Sequence, residues 1–504
     1  MLHANKYDVL SETISEAKKE KINIVWFKRD LRLQDHLPLK NAEESNLRYL
    51  CIYIIDPVIM KHPDNSLRHQ QFIYHSILDM NKKLDKYDKE VLIFQKETHT
   101  VFNYLSKKFS INNIFSYQES GTKLSWDIDK KVTKYCKAKD VNWIQYQRDG
   151  IIRGIRNRED WDKNWYINMS EPIIKNTFIK HKKLNFKNPF AIENSLLIDL
   201  ASYPKNFQPA GEDYANKYLN SFTESRGKNY SKFISKPMES RKSCGRISVY
   251  LAWGNISIKQ AYQHIKNHSN YAQHKRSFNG ILIRLKWHCH FIQKFEVECE
   301  YEYRCVNAGY EEVKYTDNSQ YIEDWKKGNT GLPLVDASMR CLKQTGWLNF
   351  RMRAMLVSVL CHHFDSNWKY GANHLANLFL DYEPGIHYTQ FQMQAGTTGI
   401  NTVRIYNPVK QSKDHDPDGI FIRKWIPELL EVPNNFIHEP WKMTAIDMTI
   451  LNLELDYVKP KIDIIEAAKA ARIKAWGHRK DSIVKREKKR IVKLHTRNNL
   501  AKRN

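Results

Sequence analysis

The chain has 504 residues, of which 41% are hydrophobic and 12% aromatic, which predicts a globular protein of two or three domains and excludes a wholly disordered one. Lys and Arg number 81 against 56 Asp and Glu, so the charge of +25 favours a polyanionic partner, nucleic acid ahead of an anionic membrane surface, unless the basic surface has no specific partner. Because there is no apolar run of eighteen residues and no apolar segment near the start, we expect no membrane span and no secretory signal. We expect a cytoplasmic location, with the nucleoid if the protein is bacterial.

The first strongly patterned region covers residues 22–147, after a polar extension at residues 1–21. Five short β-rich runs alternate there with stretches of helical period: INIVWF, LRYLCIYII, EVLIFQ, NIFSYQ and NWIQYQ. Strands that alternate with helices predict an α/β domain with a parallel, doubly wound, Rossmann-like sheet. Ligands of such sheets bind beyond the carboxyl ends of the strands.

The remainder of the chain is predicted to be helical. Residues 148–229 lose periodicity and gain Pro, Asn and Lys, which indicates an inter-domain connector. Residues 230–440 have helical periodicity and predict a larger all-α domain. Helix ends are predicted within it at Gly254-Asn255, Gly328-Asn329, Gly346 and Pro384-Gly385.

A basic helical tail is predicted at residues 441–504. From Lys459 onward it carries 16 Lys and Arg against 4 Asp and Glu, so it holds about half of the net charge. Apolar residues at helical spacing predict one helix over residues 464–494 that frays toward its end.

The cysteines and histidines give no sign of a metal site. His288 and His290 stand about 200° apart on a predicted helix, so they cannot readily share an ion, and we predict no metal. Eight scattered cysteines without a CxxC pair predict reduced, mostly buried thiols, as in cytosolic proteins. They are Cys51, Cys136, Cys244, Cys289, Cys299, Cys305, Cys341 and Cys361.

The most informative segment combines residues 331–364, 381–408 and 416–429, where charged residues are threaded through apolar, aromatic-rich helical sequence. Such charges are costly to bury unless they pair or hold a ligand, so the segment indicates either a binding site or a structural ion-pair network. The charged residues are Arg351, Arg353, Asp381, Glu383 and Arg404.

A second candidate site lies at residues 240–257, SRKSCGRISVYLAWGNIS. A small, hydroxyl-rich loop that opens a helix offers backbone N–H groups and the positive end of the helix dipole to a phosphate. An ordinary serine N-cap is the alternative explanation.

Three stretches resemble the DNA photolyase and cryptochrome family: TGLPLVDASMRCLKQTGW, RIYNPVKQSKDHDPDGIFIRKWIPEL and, less closely, WFKRDLRLQDH. The resemblance covers about residues 22–429 and implies an α/β antenna domain, a connector and a helical domain that binds FAD. It also implies an antenna chromophore of folate or deazaflavin type, which the sequence does not identify. No cysteine spacing supports the iron–sulfur cluster of some family members.

The resemblance implies which residues hold FAD. Arg353 is expected to pair with Asp381 beside the flavin ring, with Glu383 close by. The diphosphate is expected at the hydroxyl-rich loop, where Cys244-Gly245 replace the family's usual Thr-Ser and weaken side-chain but not backbone contacts. The full set is Tyr230, Cys244, Gly245, Arg246, Ile247, Ser248, Arg284, Arg353, Asp381 and Glu383.

A lesion pocket is implied as well. Trp287 matches the tryptophan that stacks on an extruded pyrimidine lesion, with a core tryptophan as the alternative. Arg351 matches an arginine between flavin and substrate. Asn349-Phe350 replace the usual His-Asn, or the His-His of (6-4)-specific enzymes, which leaves the lesion type open.

His387 aligns with the residue opposite flavin N5. There it would donate a proton or a hydrogen bond, depending on its pKa, or it would only pack the turn. An alignment anchored on RIYNP moves this position to Gly385, and the position of Phe391 to Thr389. With either alignment, the first tryptophan of the family's electron-transfer triad is missing.

The rest of the electron-transfer route is only partly present. Trp368 matches the middle member of the triad, and the outer member falls near Tyr315. Another route, through Tyr388, would have to replace the standard chain.

Four cations lie in the segment that rims the family's substrate cavity: Lys410, Lys413, Arg423 and Lys424. They are implied to contact phosphates beside a flipped base. A solvated loop is the alternative.

The resemblance implies a photolyase, a carbon–carbon lyase that splits UV-induced pyrimidine dimers by electron transfer from excited reduced FAD. We expect a monomer that acts on UV-damaged DNA and favours the cyclobutane dimer over the (6-4) product. Two alternatives stay open. One is a cryptochrome-like blue-light photoreceptor without repair activity, and the other is a colourless nucleic-acid-binding module with a vestigial flavin pocket.

Overall fold

A computed structural model describes residues 19–180, 182–184 and 186–495 of the protein. Most of the predicted N-terminal extension and the end of the predicted tail lie outside the described residues. Within those ranges no helix is long and apolar enough to cross a membrane, and no three His, Cys, Asp or Glu side chains are grouped as metal ligands. All eight cysteines are free thiols.

The N-terminal domain is built on five strands that pair in parallel in the order β3-β2-β1-β4-β5. The apolar runs form strands because both faces of the sheet are covered, and Ile24, Ile52 and Ile114 are fully buried. The strands are β1 (Lys21–Phe27), β2 (Tyr49–Ile55), β3 (Val91–Gln95), β4 (Ser110–Tyr117) and β5 (Asn142–Tyr146). The predicted α/β fold and all five predicted strands are confirmed.

Helices cover the sheet on both faces, and a hydrophobic core lies on each side of it. Amphipathic spacing drives this arrangement, since Phe72, Ile73, Ile77 and Met80 lie on the buried face of one long helix. The helices are α1 (Leu37–Glu44), α2 (Pro57–Met60), α3 (Leu67–Leu84), α4 (Thr98–Lys108) and α5 (Lys123–Ala138).

The loop that follows β1, residues 28–36, packs against the helical domain. The Leu31 N–H donates to Trp253 O at 3.1 Å, and Ser257 Oγ donates to the Asp35 carboxylate at 2.6 Å. Gly254 permits this approach, because its φ is 77° and an added Cβ would lie 2.3 Å from Arg29 O. The carboxyl edge of the sheet therefore joins the two domains.

The segment predicted as a connector contains three helices: α6 (Trp161–Ser170), α7 (Asn194–Ala201) and α8 (Glu212–Glu224). Trp161, Trp165 and Met169, spaced by four residues, form the buried face of α6. Phe222 of α8 stacks on Phe278 at a centroid distance of 5.6 Å. Part of the connector thus belongs to the helical core, because short helices in a polar segment are stabilised by tertiary packing rather than by local periodicity.

The helical domain follows. Its helices are α9 (Tyr230–Phe233), α10 (Ser240–Ser243), α11 (Ser248–Trp253), α12 (Ile258–Asn267), α13 (Lys275–Val297), α14 (Ser319–Lys327), α15 (Pro333–Thr345), α16 (Phe350–Ser358), α17 (Lys369–Leu378), α18 (Pro384–Ala395), α19 (Pro408–His415) and α20 (Ile420–Trp425). A π-helical turn, Val359–His363, continues α16. Short 3-10 turns occupy Asp85–Tyr87, Arg226–Asn229, Ser269–Tyr271, Cys299–Glu302, Ala308–Tyr310, Pro427–Leu429 and Pro440–Lys442.

Three of the four predicted helix ends in this domain are confirmed. Gly254, Gly328 and Gly346 adopt positive φ directly after α11, α14 and α15. The prediction at Pro384-Gly385 is wrong, since Pro384 begins α18 rather than ending a helix. Proline is tolerated there because the first N–H groups of a helix have no partner inside it.

The tail forms α21 (Ala445–Ile450), α22 (Ile464–His478) and α23 (Ser482–His495). The single helix predicted over residues 464–494 is thus two helices, separated just after Gly477. Ala468 of α22 and Val484 and Ile491 of α23 are buried, so the tail packs against the body of the protein. Val484 and Ile491 join the core of the helical domain, and the expected fraying toward the end stays a prediction.

Candidate functional site

A deep cavity lies in the helical domain between α13 and α18, bounded by the loop before α11 and by the start of α16. Fifteen predicted site residues line it: Tyr230, Cys244, Gly245, Arg246, Ile247, Ser248, Arg284, Trp287, Asn349, Phe350, Arg353, Asp381, Glu383, His387 and Phe391. The others lie elsewhere: Arg351, Trp368, Tyr388, Tyr315, Lys410, Lys413, Arg423 and Lys424.

Arg353 and Asp381 form the predicted ion pair at the cavity wall. The guanidinium donates two parallel hydrogen bonds to the carboxylate, at 2.9 and 2.8 Å. Its carbon lies 4.1 Å from the centre of the Phe379 ring, and its Nε donates to Leu348 O at 2.8 Å. This bidentate geometry holds one cation and one anion in fixed positions beside any ligand in the cavity.

Arg246, in the loop before α11, brings a second cation to the wall. Its guanidinium donates to Gln208 Oε1 at 2.8 Å and lies 4.1 Å from the centre of the Trp347 ring. Burial, and then the neighbouring charge of Arg241, lower the pKa of Arg246 to about 10. Among the described residues no carboxylate lies within 4.0 Å of this guanidinium. A bound anion such as a diphosphate would supply the missing counter-charge.

The same loop is shaped for close contact with a ligand. At Gly245 an added Cβ would lie 2.8 Å from Ile281 Cδ1 of α13, the end of a side chain that would have to shift. Ser248 Oγ is buried without a hydrogen-bond partner in the described structure, so a hydroxyl is available to a ligand. The loop leads into α11, a helix of six residues, and its contact with a phosphate stays a prediction.

Trp287 and Phe350 form an aromatic mouth. They are 44% and 42% exposed although both line the cavity, so Trp287 is not a core tryptophan. The Arg284 guanidinium lies 4.2 Å from the centre of the Trp287 ring. His288 is the next residue of α13. Burial lowers its pKa, so its ring is neutral. Its Nε2 has no hydrogen-bond partner within the described ranges.

Three buried acceptors in the lining have no hydrogen-bond donor among the described residues: Asn349 Oδ1, Glu383 Oε1 and Gln390 Oε1. The Asn349 Nδ2 donates to Ile234 O at 3.1 Å, which orients its amide. Buried polar atoms are nearly always satisfied in native proteins, so these acceptors indicate a ligand that carries N–H and O–H donors. A flavin ring, a ribityl chain and an adenine carry such donors, and the residues present therefore fit FAD.

His387 lines the cavity as a neutral group. Burial lowers its pKa to about 4, and its Nε2 donates to Ala372 O at 2.8 Å. The neutral ring is thus left with Nδ1 as an acceptor, so donation of a proton to a ligand is excluded near pH 7. Gly385 and Thr389, the positions of the alternative alignment, do not line the cavity, which supports the direct alignment on His387 and Phe391.

Arg351 does not face the cavity, which corrects the prediction that it lies between flavin and substrate. It lines a neighbouring surface groove together with Arg404, and its guanidinium lies 5.6 Å from the centre of the Tyr406 ring. Successive side chains of a helix point about 100° apart, so Phe350 and Arg353 share one face of α16 and Arg351 lies on another.

Three of the four predicted phosphate contacts already have partners within the protein. Arg423 donates to three backbone carbonyls of its own surroundings, at 2.6, 2.6 and 3.1 Å, so most of its N–H donors are engaged, and its contact with DNA stays a prediction. Lys413 pairs with Glu439 at 2.7 Å. Lys410 pairs with Asp414 at 3.1 Å, and Lys424 is exposed.

Two buried tryptophans lie around Phe391, the residue predicted to align with the family's first triad tryptophan. The Trp368 ring centre is 6.3 Å from that of Phe391. An added Cβ at Gly371 would lie 3.0 Å from Phe391 and 3.1 Å from Trp325, so this glycine lets the rings approach. Sequence reasoning missed Trp325, because it lies in another helix and carries no motif.

The two tyrosines predicted for electron transfer lie outside the lining of the cavity. Tyr388 stacks on Phe295 at 6.1 Å and contacts the His387 ring at 5.4 Å. Tyr315 lies under Lys474, whose Nζ is 4.6 Å from the ring centre. Burial raises the pKa of both phenols. Neither tyrosine lines the cavity, so each would serve only a later step of a route.

Two arginines of the N-terminal domain, which sequence reasoning also missed, hold Glu383. Arg148 Nη2 lies 3.0 Å and Arg29 Nη1 3.8 Å from its carboxylate. Arg29 also donates to Tyr382 O at 2.9 Å. Both arginines follow strands, β1 and β5, so their position beyond the carboxyl ends of the sheet was the available signal.

Comparison with curated proteins finds relatives that match almost end to end. A deoxyribodipyrimidine photo-lyase of Alkalihalophilus pseudofirmus is 26% identical over 485 residues, which cover 90% of this chain and 97% of the relative. A cryptochrome DASH of Synechocystis sp. is 25% identical over 484 residues, which cover 89% of this chain and 96% of the relative.

Solved structures share the fold. The Synechocystis cryptochrome superposes with a TM-score of 0.80 at 22% identity, over 91% of this chain and 99% of the other. The archaeal photolyase from Sulfolobus tokodaii, solved with two FAD molecules, superposes with a TM-score of 0.74 at 24% identity, over 90% of this chain and 99% of the other.

Two family models match the chain, one in each domain. The model described as "DNA photolyase" matches residues 23–153, and the model described as "FAD binding domain of DNA photolyase" matches residues 281–476. The second match contains Trp287, Arg353 and Asp381 of the cavity. The two family models match one domain each, and the curated relatives and the shared fold agree with them. The chain therefore belongs to the DNA photolyase and cryptochrome family and binds FAD.

Proposed function

We propose that this protein is a light-driven photolyase that splits cyclobutane pyrimidine dimers in UV-damaged DNA. The observation that carries the proposal is a single cavity with an aromatic mouth, Trp287 and Phe350, above a wall that contains the Arg353–Asp381 pair. When bound in its reduced form, FAD supplies the electron that splits the dimer after absorption of blue light.

Trp287 and Phe350 would receive the dimer. A base taken out of the duplex loses its stacking, and an exposed aromatic ring at the cavity mouth replaces it. Asn349 Oδ1, which has no donor among the described residues, would accept a hydrogen bond from a pyrimidine N3–H.

The mouth favours the cyclobutane dimer over the (6-4) product. Splitting a cyclobutane ring breaks two carbon–carbon bonds and needs one electron that is afterwards returned, without net proton transfer. Asn349 and Phe350 contain no titratable proton, and the ring of His288 is neutral because burial lowers its pKa. A site without an acid suits a reaction that needs none.

The cavity wall would hold and tune the cofactor. Arg246 would bind the diphosphate, and the Arg353–Asp381 pair would fix the charge beside the ring. His387 would only accept a hydrogen bond, because its Nε2–H is engaged with Ala372 O.

A second candidate function is a blue-light photoreceptor without repair activity. The observation that favours it is Phe391 in the cavity lining beside Trp368, which would stand where the family has its first triad tryptophan and would so alter the route by which the cofactor is photoreduced. Relatives that carry the name cryptochrome DASH are as similar as those named photo-lyase.

The remaining attributes follow the repair proposal. UV-damaged DNA would be the partner and the cytoplasm the location, since eight free thiols suit a reducing compartment. We expect a monomer. A folate or deazaflavin antenna chromophore stays a prediction, and an absorption band of the purified protein beyond those of flavin would reveal it.

Repair of defined oligonucleotides tests the proposal. Chemically reduced protein is illuminated with blue light on strands with one cyclobutane thymine dimer or one (6-4) product, single- or double-stranded, with matched dark samples. Light-dependent loss of the cyclobutane dimer supports the proposal. No repair of either lesion by protein with bound, photoreducible flavin would overturn it in favour of the photoreceptor.

A further inference from the structure

Tyr382 lies between the two acidic residues of the cavity wall, Asp381 and Glu383, and lines the cavity itself. Its side chain is buried, and its hydroxyl donates a hydrogen bond to Asp64 Oδ2 of the N-terminal domain. Asp64 is not among the described residues that line the cavity, so the hydroxyl is directed away from a ligand. The ring of Tyr382 therefore faces the cavity while its O–H bond faces a carboxylate.

Asp64 is an ionised acceptor in a small buried network. Its Oδ1 lies 2.5 Å from His62 Nδ1, and His62 Nε2 lies 3.0 Å from Glu302 Oε1. Burial alone would raise the pKa of Asp64, but the hydrogen bond from His62 outweighs this and keeps the pKa below its usual value. Burial lowers the pKa of His62, yet hydrogen bonds to both carboxylates raise it to about 10, so this ring is a cation near pH 7. Two carboxylates and one imidazolium carry a net negative charge, which one further proton would neutralise.

The phenol of Tyr382 keeps its proton as long as the ring is not oxidised. Burial, and then the charge of Asp64, raise the pKa of Tyr382 well above its ordinary value. A phenol that loses an electron becomes a strong acid, because the positive charge on the ring weakens its hold on the proton. The proton would then cross one existing hydrogen bond to Asp64, and no water would have to enter. Asp64 is thus the base that the loss of an electron from Tyr382 requires.

Other oxidisable rings in the cavity lining face cations instead. The Arg284 guanidinium, whose charge also acts on Tyr230, lies 4.2 Å from the centre of the Trp287 ring. The Arg246 guanidinium lies 4.1 Å from the centre of the Trp347 ring. A neighbouring cation opposes the loss of an electron, because it repels the positive charge that forms on the ring.

The remaining neighbours of Tyr382 oppose its oxidation less. The Arg29 guanidinium lies 5.9 Å from the centre of the ring, and its charge is balanced by Glu383 at 3.8 Å and Glu119 at 3.5 Å. The His69 ring stacks on Tyr382 at a centroid distance of 5.6 Å and is neutral, because burial lowers its pKa to about 4. Tyr382 is therefore the ring of the lining from which an electron and a proton leave most readily.

We propose that Tyr382 is a redox-active residue that passes one electron to light-excited, oxidised flavin in the cavity while its phenol proton moves to Asp64 Oδ2. The phenol O–H bond breaks and a carboxyl O–H bond forms, so a neutral tyrosyl radical and an uncharged Asp64 remain. An external thiolate then returns the electron, and Asp64 returns the proton. His62 is a positioning residue, since it orients Asp64 and keeps it ionised.

This route does not pass through Phe391, whose ring is difficult to oxidise. The proposal rests on bound FAD and not on the repair of DNA, because chemically reduced protein needs no electron from Tyr382. Electron donation by Tyr382 and DNA repair can therefore fail separately.

The test is electron paramagnetic resonance of the full-length protein with bound oxidised FAD, frozen under blue light, with the tyrosyl radical expressed per bound flavin. Tyr382→Phe should lose this radical. Asp64→Asn keeps the size of the side chain but removes the base, so flash absorbance should show the radical forming about a hundredfold more slowly. In heavy water the wild-type radical should also form more slowly, because a proton moves with the electron. A radical on Trp368 has a different spectrum and is counted separately.

Tyr250→Phe is the matched control. Tyr250 is also fully buried, and its hydroxyl donates to Pro209 O at 2.9 Å, a carbonyl that is a far weaker base than a carboxylate. This variant should form the radical at the wild-type rate. Thermal unfolding of the FAD-free variants measures separately how much the contact between Tyr382 and Asp64 stabilises the docking of the two domains.

Three results would overturn the proposal: a wild-type yield of radical in Tyr382→Phe, a wild-type rate in Asp64→Asn, or equal losses in Tyr382→Phe and Tyr250→Phe. If the contact only joins the domains, both site variants lower the thermal midpoint of the FAD-free protein and leave the radical unchanged. A radical that depends on Tyr382 and Asp64, together with no repair by chemically reduced protein, would retain this proposal and reject the repair function.

Discussion

Replacement of Asp381 by Asn tests whether the ion pair at the cavity wall supports the cofactor. Asn keeps the size of the side chain but removes the charge that faces Arg353 across contacts of 2.9 and 2.8 Å. In the open cavity the Arg353 side chain is 26% exposed, and a ligand in the cavity would cover this remaining surface. In the variant, cofactor binding therefore has to bury an unpaired cation.

The size of the effect follows from the geometry. Removal of one partner from a fully buried ion pair costs about 3–5 kcal/mol. Because Arg353 keeps part of its hydration before the ligand arrives, we assign about 2 kcal/mol of this cost to the binding step. FAD should therefore bind about 30-fold more weakly to Asp381→Asn than to the wild-type protein.

Titration of the apoprotein with FAD, followed by flavin fluorescence, measures this difference. The matched control is Glu428→Gln, which breaks another two-hydrogen-bond pair, Arg340–Glu428 at 2.8 and 2.9 Å, on the protein surface. Such surface pairs contribute about 0–1 kcal/mol, and FAD binding should be unchanged. A Kd for Asp381→Asn within about threefold of the wild-type value would refute the reasoning, as would equal weakening in both variants.

Four further changes test other features of the protein. Trp287→Ala should weaken binding to dimer-containing DNA about tenfold or more and spare undamaged DNA, because one stacked base contributes about 1–3 kcal/mol; equal loss on both would make Trp287 structural. Burial lowers the pKa of His387 to about 4, so the unfolded chain binds more protons and stability falls as the pH drops from about 6.5 toward 4; His387→Gln should flatten the acid limb of the thermal midpoint against pH. Burial alone would lower the pKa of His62, but hydrogen bonds to two carboxylates outweigh this and raise it to about 10. The stabilisation by His62 is therefore complete below about pH 6.5 and lost toward pH 10. An unchanged alkaline limb of the thermal midpoint against pH in His62→Gln would contradict this. Trp368→Phe should slow photoreduction in a flash-absorbance assay and leave repair by chemically reduced protein intact, whereas slower repair would place Trp368 in dimer splitting.

Elements set by neighbouring residues were predictable. The β-rich runs became the five strands of the sheet, and Gly254, Gly328 and Gly346 ended helices because only glycine readily adopts the positive φ that follows them. The partner of Arg353 was predictable too, since the resemblance identified Asp381 and the cost of a buried charge required a counter-ion.

The directions of the charged side chains were not predictable. Arg351 and Arg353 are two residues apart, yet one lies in the surface groove and the other at the cavity wall, because the rotation of α16 about its axis is set by packing. Arg423 is a residue of the type expected at a DNA contact, but it donates to backbone carbonyls that only the folded loop brings to it.

Local patterning was thus sufficient to predict the α/β and helical domains, and the family resemblance was sufficient to predict fifteen of the 31 residues that line the cavity. The assembly of the site depended on contacts between residues far apart in the chain. Arg29 and Arg148 reach Glu383 only because the loop after β1 docks on α11. Arg472 and Trp476 face the groove only because α22 packs against the body of the protein. Such contacts depend on how domains and helices pack, and local periodicity carries no information about that packing.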